Sequence, residues 1–161
     1  MIRYIKQKDN TSCGPVALMN VLKWLGHKVS YDWIHIARHI CKWEDRHSDS
    51  GGGTSDLDLE KALKYFDIKK KRKIQPCLND IDKHIDSGGI VLLSYFNPYS
   101  MPEFKKNSGH FALCIGRTSR TYMMVNDRTN KTKNRRYRNV MKTMLNNKSN
   151  GYKCWAWFIS K

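Results

Sequence analysis

Cys13 stands in the segment Gln7-Lys8-Asp9-Asn10-Thr11-Ser12-Cys13-Gly14-Pro15, directly ahead of the apolar run from Val16 to Leu22. Glycine and proline fit a helix start, because proline is favoured where its missing N–H is not needed. A thiol at that point meets unpaired backbone N–H groups and the positive end of the helix dipole, which favour the thiolate and so nucleophilic acyl transfer. Such a nucleophile needs a base. Among the six histidines, His110 is the best candidate, since it follows Gly109 at the start of an apolar strand and just after a loop. Asp127 follows the next strand of the same hairpin and can meet the far nitrogen of His110, fixing its tautomer. Gln7, six residues before Cys13, offers a side-chain amide that can join the Cys13 N–H in stabilising an oxyanion. Singly, each has a plainer reading, a small core cysteine or a structural strand-end histidine or aspartate.

The elements that must position these residues follow from hydrophobic period and stop signals. Residues 2–5 read as a short strand or arm. The helix behind Cys13 runs to about Leu25, stops at Gly26, and is apolar except at Asn20 and Lys23, as expected of a helix surrounded by protein. A second helix is predicted from about Tyr31 to Trp43, capped by Ser30, with Trp33, Ile36, Ala37 and Ile40 on one face. Residues 44–54, with Gly51-Gly52-Gly53, read as a connector without the pattern of a phosphate-cradling loop. Ser55 and Asp58 make a capping box opening a helix to about Phe66 that buries Leu57, Leu59, Leu63 and Phe66. Asn79 can cap a short helix through Ile85, ended by Gly88-Gly89. Ile90 to Phe96 reads as a buried strand. His110 to Gly116 and Thr121 to Asn126 form a hairpin, followed by a helix from Tyr137 to Leu145 and a last strand from Cys154 to Ile159. Helices come first and a mainly antiparallel sheet last, an α+β arrangement in one domain over residues 1–161.

The chain carries 30 Lys and Arg against 14 Asp and Glu, a net charge of +16 that draws acidic partners to its surface. The excess is densest in Lys69, Lys70, Lys71, Arg72 and Lys73 and again from Arg128 to Arg138, through Arg135 and Arg136. Cys13, Cys41, Cys77, Cys114 and Cys154 are an odd set without CxxC spacing, and no secretory leader is read, so a reducing, cytoplasmic setting is expected. No apolar stretch is long enough for a membrane span. His35 and His39 lie four apart, but Cys41 and His47 complete no zinc spacing, so a solvated face is the reading kept and neither metal nor cofactor is expected.

Gln7, Thr11-Ser12-Cys13-Gly14-Pro15, Gly109-His110-Phe111-Ala112-Leu113 and Asn126-Asp127 resemble the motifs of the papain-like cysteine peptidases, in particular the bacteriocin-processing double-glycine peptidases and their stand-alone relatives. The order glutamine, cysteine, histidine, aspartate matches over nearly the whole chain. The resemblance implies a papain-like α+β fold whose central helix starts at the nucleophile. It also implies the roles: Cys13 as nucleophile, His110 as general base, Asp127 as orienting acid and Gln7 as oxyanion donor. Arg128 stands where the family often has proline.

Hydrolysis of a peptide or isopeptide bond through a Cys13 thioester is the first expectation, with a protein or acidic peptide as substrate. Deamidation of a protein glutamine would use the same thioester. A third possibility of another class is a nucleic-acid-binding or interaction module on an inactive peptidase scaffold. It would use Lys69, Lys70, Lys71, Arg72, Lys73, Arg135 and Arg136 to neutralise phosphates.

Overall fold

The computed structural model describes residues 2–9, 11–43, 53–96, 109–125, 134–145 and 153–161. Its helices are α1 (Cys13–Trp24), α2 (Ile34–Ile40), α3 (Asp56–Tyr65), α4 (Leu78–Asp86) and α5 (Arg138–Leu145), with a 3-10 turn at Tyr31–Trp33 ahead of α2. Its strands are β1 (Lys70–Ile74), β2 (Ile90–Phe96), β3 (Gly109–Arg117), β4 (Thr121–Val125), β5 (Asn134–Tyr137) and β6 (Trp155–Ile159). They form one sheet in the order β1-β6-β2-β3-β4-β5, with every neighbouring pair antiparallel.

Both faces of this sheet are covered, and the side-chain alternation of the central strands shows how. Ile90 and Leu92 of β2, Phe111 and Leu113 of β3, and Trp157 and Ile159 of β6 join α1, α2 and α3 in one core. The intervening residues Val91, Leu93 and Tyr95, Ala112 and Cys114, and Ala156 and Phe158 join Ile81 of α4 and Met141, Met144 and Leu145 of α5 in a second core. Strands buried on both faces read as continuous apolar runs, which is why β2 was recognisable at its true bounds. The helix α1 is buried from Cys13 to Leu22 and packs on β3. It ends where Gly26 adopts φ +98°, a left-handed conformation suited to glycine.

Several expectations are corrected. The second helix is shorter than Tyr31–Trp43, and its buried residues are Ile34 and Ala37, whereas Trp33 and Ile36 are 38% and 52% exposed. The buried positions are Ile34, Ala37 and Cys41, spaced at i, i+3 and i+7, and Ile36 lies off that stripe. Ser30 makes no side-chain cap bond and instead donates its hydroxyl to Asp32. In α3 the cap at Ser55 accepts the Asp58 N–H as expected, but Leu57 is 58% exposed and Ala62 is buried in its place. The cap of α4 is Cys77 rather than Asn79, with the Asp80 carboxylate accepting the Cys77 N–H at 2.8 Å.

Two strands escaped the sequence reading because charge hid them. The run at Lys70–Ile74 is β1, an edge strand inserted between two helices, so the sheet does not wait for the second half of the chain. Its Arg72 pairs with Glu60 of α3 and lies over the Trp155 ring, and its Lys73 pairs with Asp80 of α4. Lysine on an open edge discourages pairing with a second copy. The strand β5, Asn134–Tyr137, is the opposite edge and carries Arg135 and Arg136 in its sequence. Residues 44–52 of the predicted connector and 126–133 of the second basic cluster lie outside the described residues.

Leu113 joins sheet to helix in the first core and is fully buried. Leu113→Ala should lower stability by about 2–5 kcal/mol. Urea unfolding would show this as a lower midpoint at unchanged slope, and an unchanged midpoint would mean that the sheet face is not packed as described.

Candidate active site

The chain reaches Cys13 through a loop tied down by one carboxylate. Oδ1 of Asp9 accepts the backbone N–H of Thr11 at 2.8 Å and of Ser12 at 2.7 Å, which fixes the turn just ahead of α1. Its Oδ2 accepts from Arg38 Nη2 at 2.9 Å, and Arg38 Nε donates to the Ser12 hydroxyl at 3.0 Å. The guanidinium also lies 4.3 Å from the Trp43 ring centre. Partial burial alone would raise the Asp9 carboxyl. The hydrogen bonds from Thr11, Ser12 and Arg38 outweigh it and hold the acid below its ordinary range.

Behind the cysteine the packing is equally tight. A Cβ on Gly14 would lie 2.6 Å from the Thr54 Cβ and 2.7 Å from its Oγ1, so the first turn of α1 fits only because residue 14 has no side chain. Cys41, the residue closing α2, is fully buried one turn beyond Arg38. Burial first, then the neighbouring Cys13 and Asp58, push its thiol far above the ordinary range. Burial likewise raises Cys154 and pushes Cys114 up to about 12. These three thiols stay protonated at neutral pH, and Cys77 is the exposed one.

Cys13 is 8% exposed at the start of α1, and His110 is 1% exposed at the second residue of β3, the strand on which α1 packs. His110 lies opposite Tyr95 in the β2–β3 register, and their rings meet edge to face at 5.9 Å. Strand parity therefore groups His110 with Tyr95, Ala112 and Cys114, while its neighbour Phe111 shares the core that contains Cys13. The second residue of β3 is at the end of the sheet, opposite the last residues of β2. Gln7 is half-buried, and its Nε2 donates to the Asp9 carbonyl at 2.6 Å. Asp127 lies outside the described residues.

The family model described as the Peptidase_C39 like family matches residues 1–157. The chain belongs to this family. Among solved structures, the peptidase domain of Streptococcus ComA, a bi-functional ABC transporter involved in quorum sensing, is similar with a TM-score of 0.71 at 14% identity, covering 100% of both chains. A putative C39-like peptidase from Bacillus anthracis matches with a TM-score of 0.66 at 12% identity over 99% of this chain and 95% of the other. A double glycine motif protease from an AMS/PCAT transporter, solved with its leader peptide, matches with a TM-score of 0.62 at 14% identity over 99% and 93%. No curated protein sequence matches. The likeness read from the motifs is thus borne out for family and for the papain-like α+β fold.

Sequence reasoning missed Asp9 and Arg38. Asp9 lies three residues ahead of Ser12, the usual reach of a capping carboxylate, but its partner Arg38 comes from another helix and leaves no local signal. Among the described residues no helix is long and apolar enough to cross a membrane, and no group of three or more metal-binding side chains occurs.

Two outcomes follow. Gly14→Ala should cost about 1–3 kcal/mol through overpacking against Thr54, read as a lower thermal midpoint; an unchanged midpoint would contradict the close approach. Because the Asp9 acid is lowered in the folded protein, its contribution is present above the ordinary carboxylate range and is lost as pH falls through the folded-state value. Asp9→Asn should be less stable near neutrality and show a flatter loss of stability on acidification. Parallel wild-type and variant curves from pH 7 to pH 3 would refute the clamp.

Proposed function

We propose that this member of the C39-peptidase-like family is a cysteine peptidase that hydrolyses a peptide or isopeptide bond through a thioester on Cys13. The observation that carries the reading is the buried start of α1, where Cys13 follows the loop tied by Asp9 on a helix that packs on β3, in a chain with the fold of C39 peptidase domains. In this scheme the Cys13 thiolate attacks the carbonyl carbon, and the Cys13 N–H and the Gln7 amide receive the oxyanion. His110, oriented by Asp127, takes the thiol proton and gives it to the leaving amine. Water then attacks the thioester and releases the acid.

A peptide substrate is supported by the similar double glycine motif protease, which was solved with a leader peptide. The net charge of +16 favours an acidic one.

The test is mass spectrometry of acidic polypeptides incubated with the protein and with Cys13→Ala. New termini that appear only with the cysteine support hydrolysis. A gain of about one mass unit without cleavage, the product of side-chain amide hydrolysis, would replace this reading with deamidation. Equal products from both proteins would refute the thioester.

A further inference from the structure

Asn20 is the polar residue in the fully buried part of α1, flanked by Val16, Ala17, Leu18, Met19, Val21 and Leu22. A buried amide in such surroundings has to be hydrogen-bonded. Both of its polar atoms go to a single residue of the N-terminal arm: Oδ1 accepts the Ile5 N–H at 2.6 Å, and Nδ2 donates to the Ile5 carbonyl at 3.0 Å. The side chain thus gives Ile5 the two bonds that a neighbouring strand would give.

Asn20 lies seven residues beyond Cys13, two turns and about 10 Å along the helix axis. From Ile5 the chain has to run back along α1 to reach the helix start, and Gln7 lies on that return. The far end of the return is fixed at Asp9 by Thr11, Ser12 and Arg38. Gln7 is therefore two residues from one pin and two from the other. Its own bond to the Asp9 carbonyl takes one of the two amide hydrogens, leaving the second for an acceptor. An oxyanion donor works because it is held in place before the charge develops.

We infer that Asn20 is a positioning residue, acting through the Ile5 backbone to hold the Gln7 amide where an oxyanion forms. This rests on the proposed role of Gln7, and the test separates the two.

Two thiol reagents read the site without a known substrate. With p-nitrophenyl acetate the Cys13 sulfur attacks the acetyl carbon, a tetrahedral oxyanion forms, the C–O bond breaks, and p-nitrophenolate leaves with the electron pair. With iodoacetamide an S–C bond forms as iodide leaves, and no oxyanion arises. Rates are measured on the full chain carrying Cys77→Ser, which removes the exposed competing thiol. Protection of Cys41, Cys114 and Cys154 from iodoacetamide reports that the fold is intact.

Gln7→Ala should slow acetylation of Cys13 by about a hundredfold and leave alkylation unchanged. Asn20→Ala should slow acetylation at least about tenfold, also without changing alkylation, and should add less than about twofold in the Gln7→Ala background. Ile5→Pro, which removes the N–H bonded to Asn20, should behave as Asn20→Ala does, and it decides the matter if Asn20→Ala exposes the buried thiols. If Gln7→Ala slows acetylation but Asn20→Ala and Ile5→Pro do not, or if their losses multiply with that of Gln7→Ala, the positioning role is overturned. If Gln7→Ala itself leaves acetylation unchanged, the Gln7 assignment fails first and this inference fails with it.

Discussion

The Asp9 carboxylate decides where α1 begins. It accepts two backbone N–H groups of the turn into the helix and pairs with Arg38 from α2, whose other nitrogen holds the Ser12 hydroxyl. Asp9 thereby fixes the two residues that lead into the helix, and the residue after them is Cys13. Gly14 then allows Thr54 to press on the first turn from the other side. The position of the thiol follows from three segments distant in sequence converging on one turn, with little freedom left to any of them.

The sheet supplies the other half. Because α1, α2 and α3 cover one face and α4 and α5 the other, β2, β3 and β6 are buried on both sides. The second layer is further tied by Asp82 of α4, which accepts from the Tyr122 hydroxyl at 2.5 Å and from Arg138 at 2.9 Å. His84 of the same helix reaches the Ile159 carbonyl of β6 at 3.0 Å. His110, at the end of β3, is thereby carried on a sheet buried on both faces, and Cys13 stands at the start of the buried helix α1. Both supports favour a fixed geometry over one assembled on demand.

How much of this was legible depended on whether the signal was local. The start of α1, the bounds of β2 and the hairpin of β3 and β4 could be read because glycine, proline and uninterrupted apolar runs act within a few residues. The strand β1 could not, since its stability comes from pairing with β6 some eighty positions on, while its own residues are charged. The face of α2 was misjudged because its covered stripe runs through Ile34, Ala37 and Cys41, and the equally apolar Ile36 lies off it. Asn20 was visible as a polar interruption, but its partner Ile5 could be identified only once the arm was seen against the helix. Of the four residues proposed from the motifs, Cys13, His110 and Gln7 fall among the described residues and Asp127 does not.

The account turns on whether the Cys13 thiol and the His110 imidazole act as a pair. The most direct measurement is the rate of Cys13 alkylation by iodoacetamide across pH, for the chain and for His110→Ala. A histidine that holds the thiolate lowers the thiol pKa, so alkylation of the unaltered chain should stay fast well below the ordinary thiol value of about 8.5, and His110→Ala should move the midpoint up towards it. The same midpoint in both proteins would contradict the pairing.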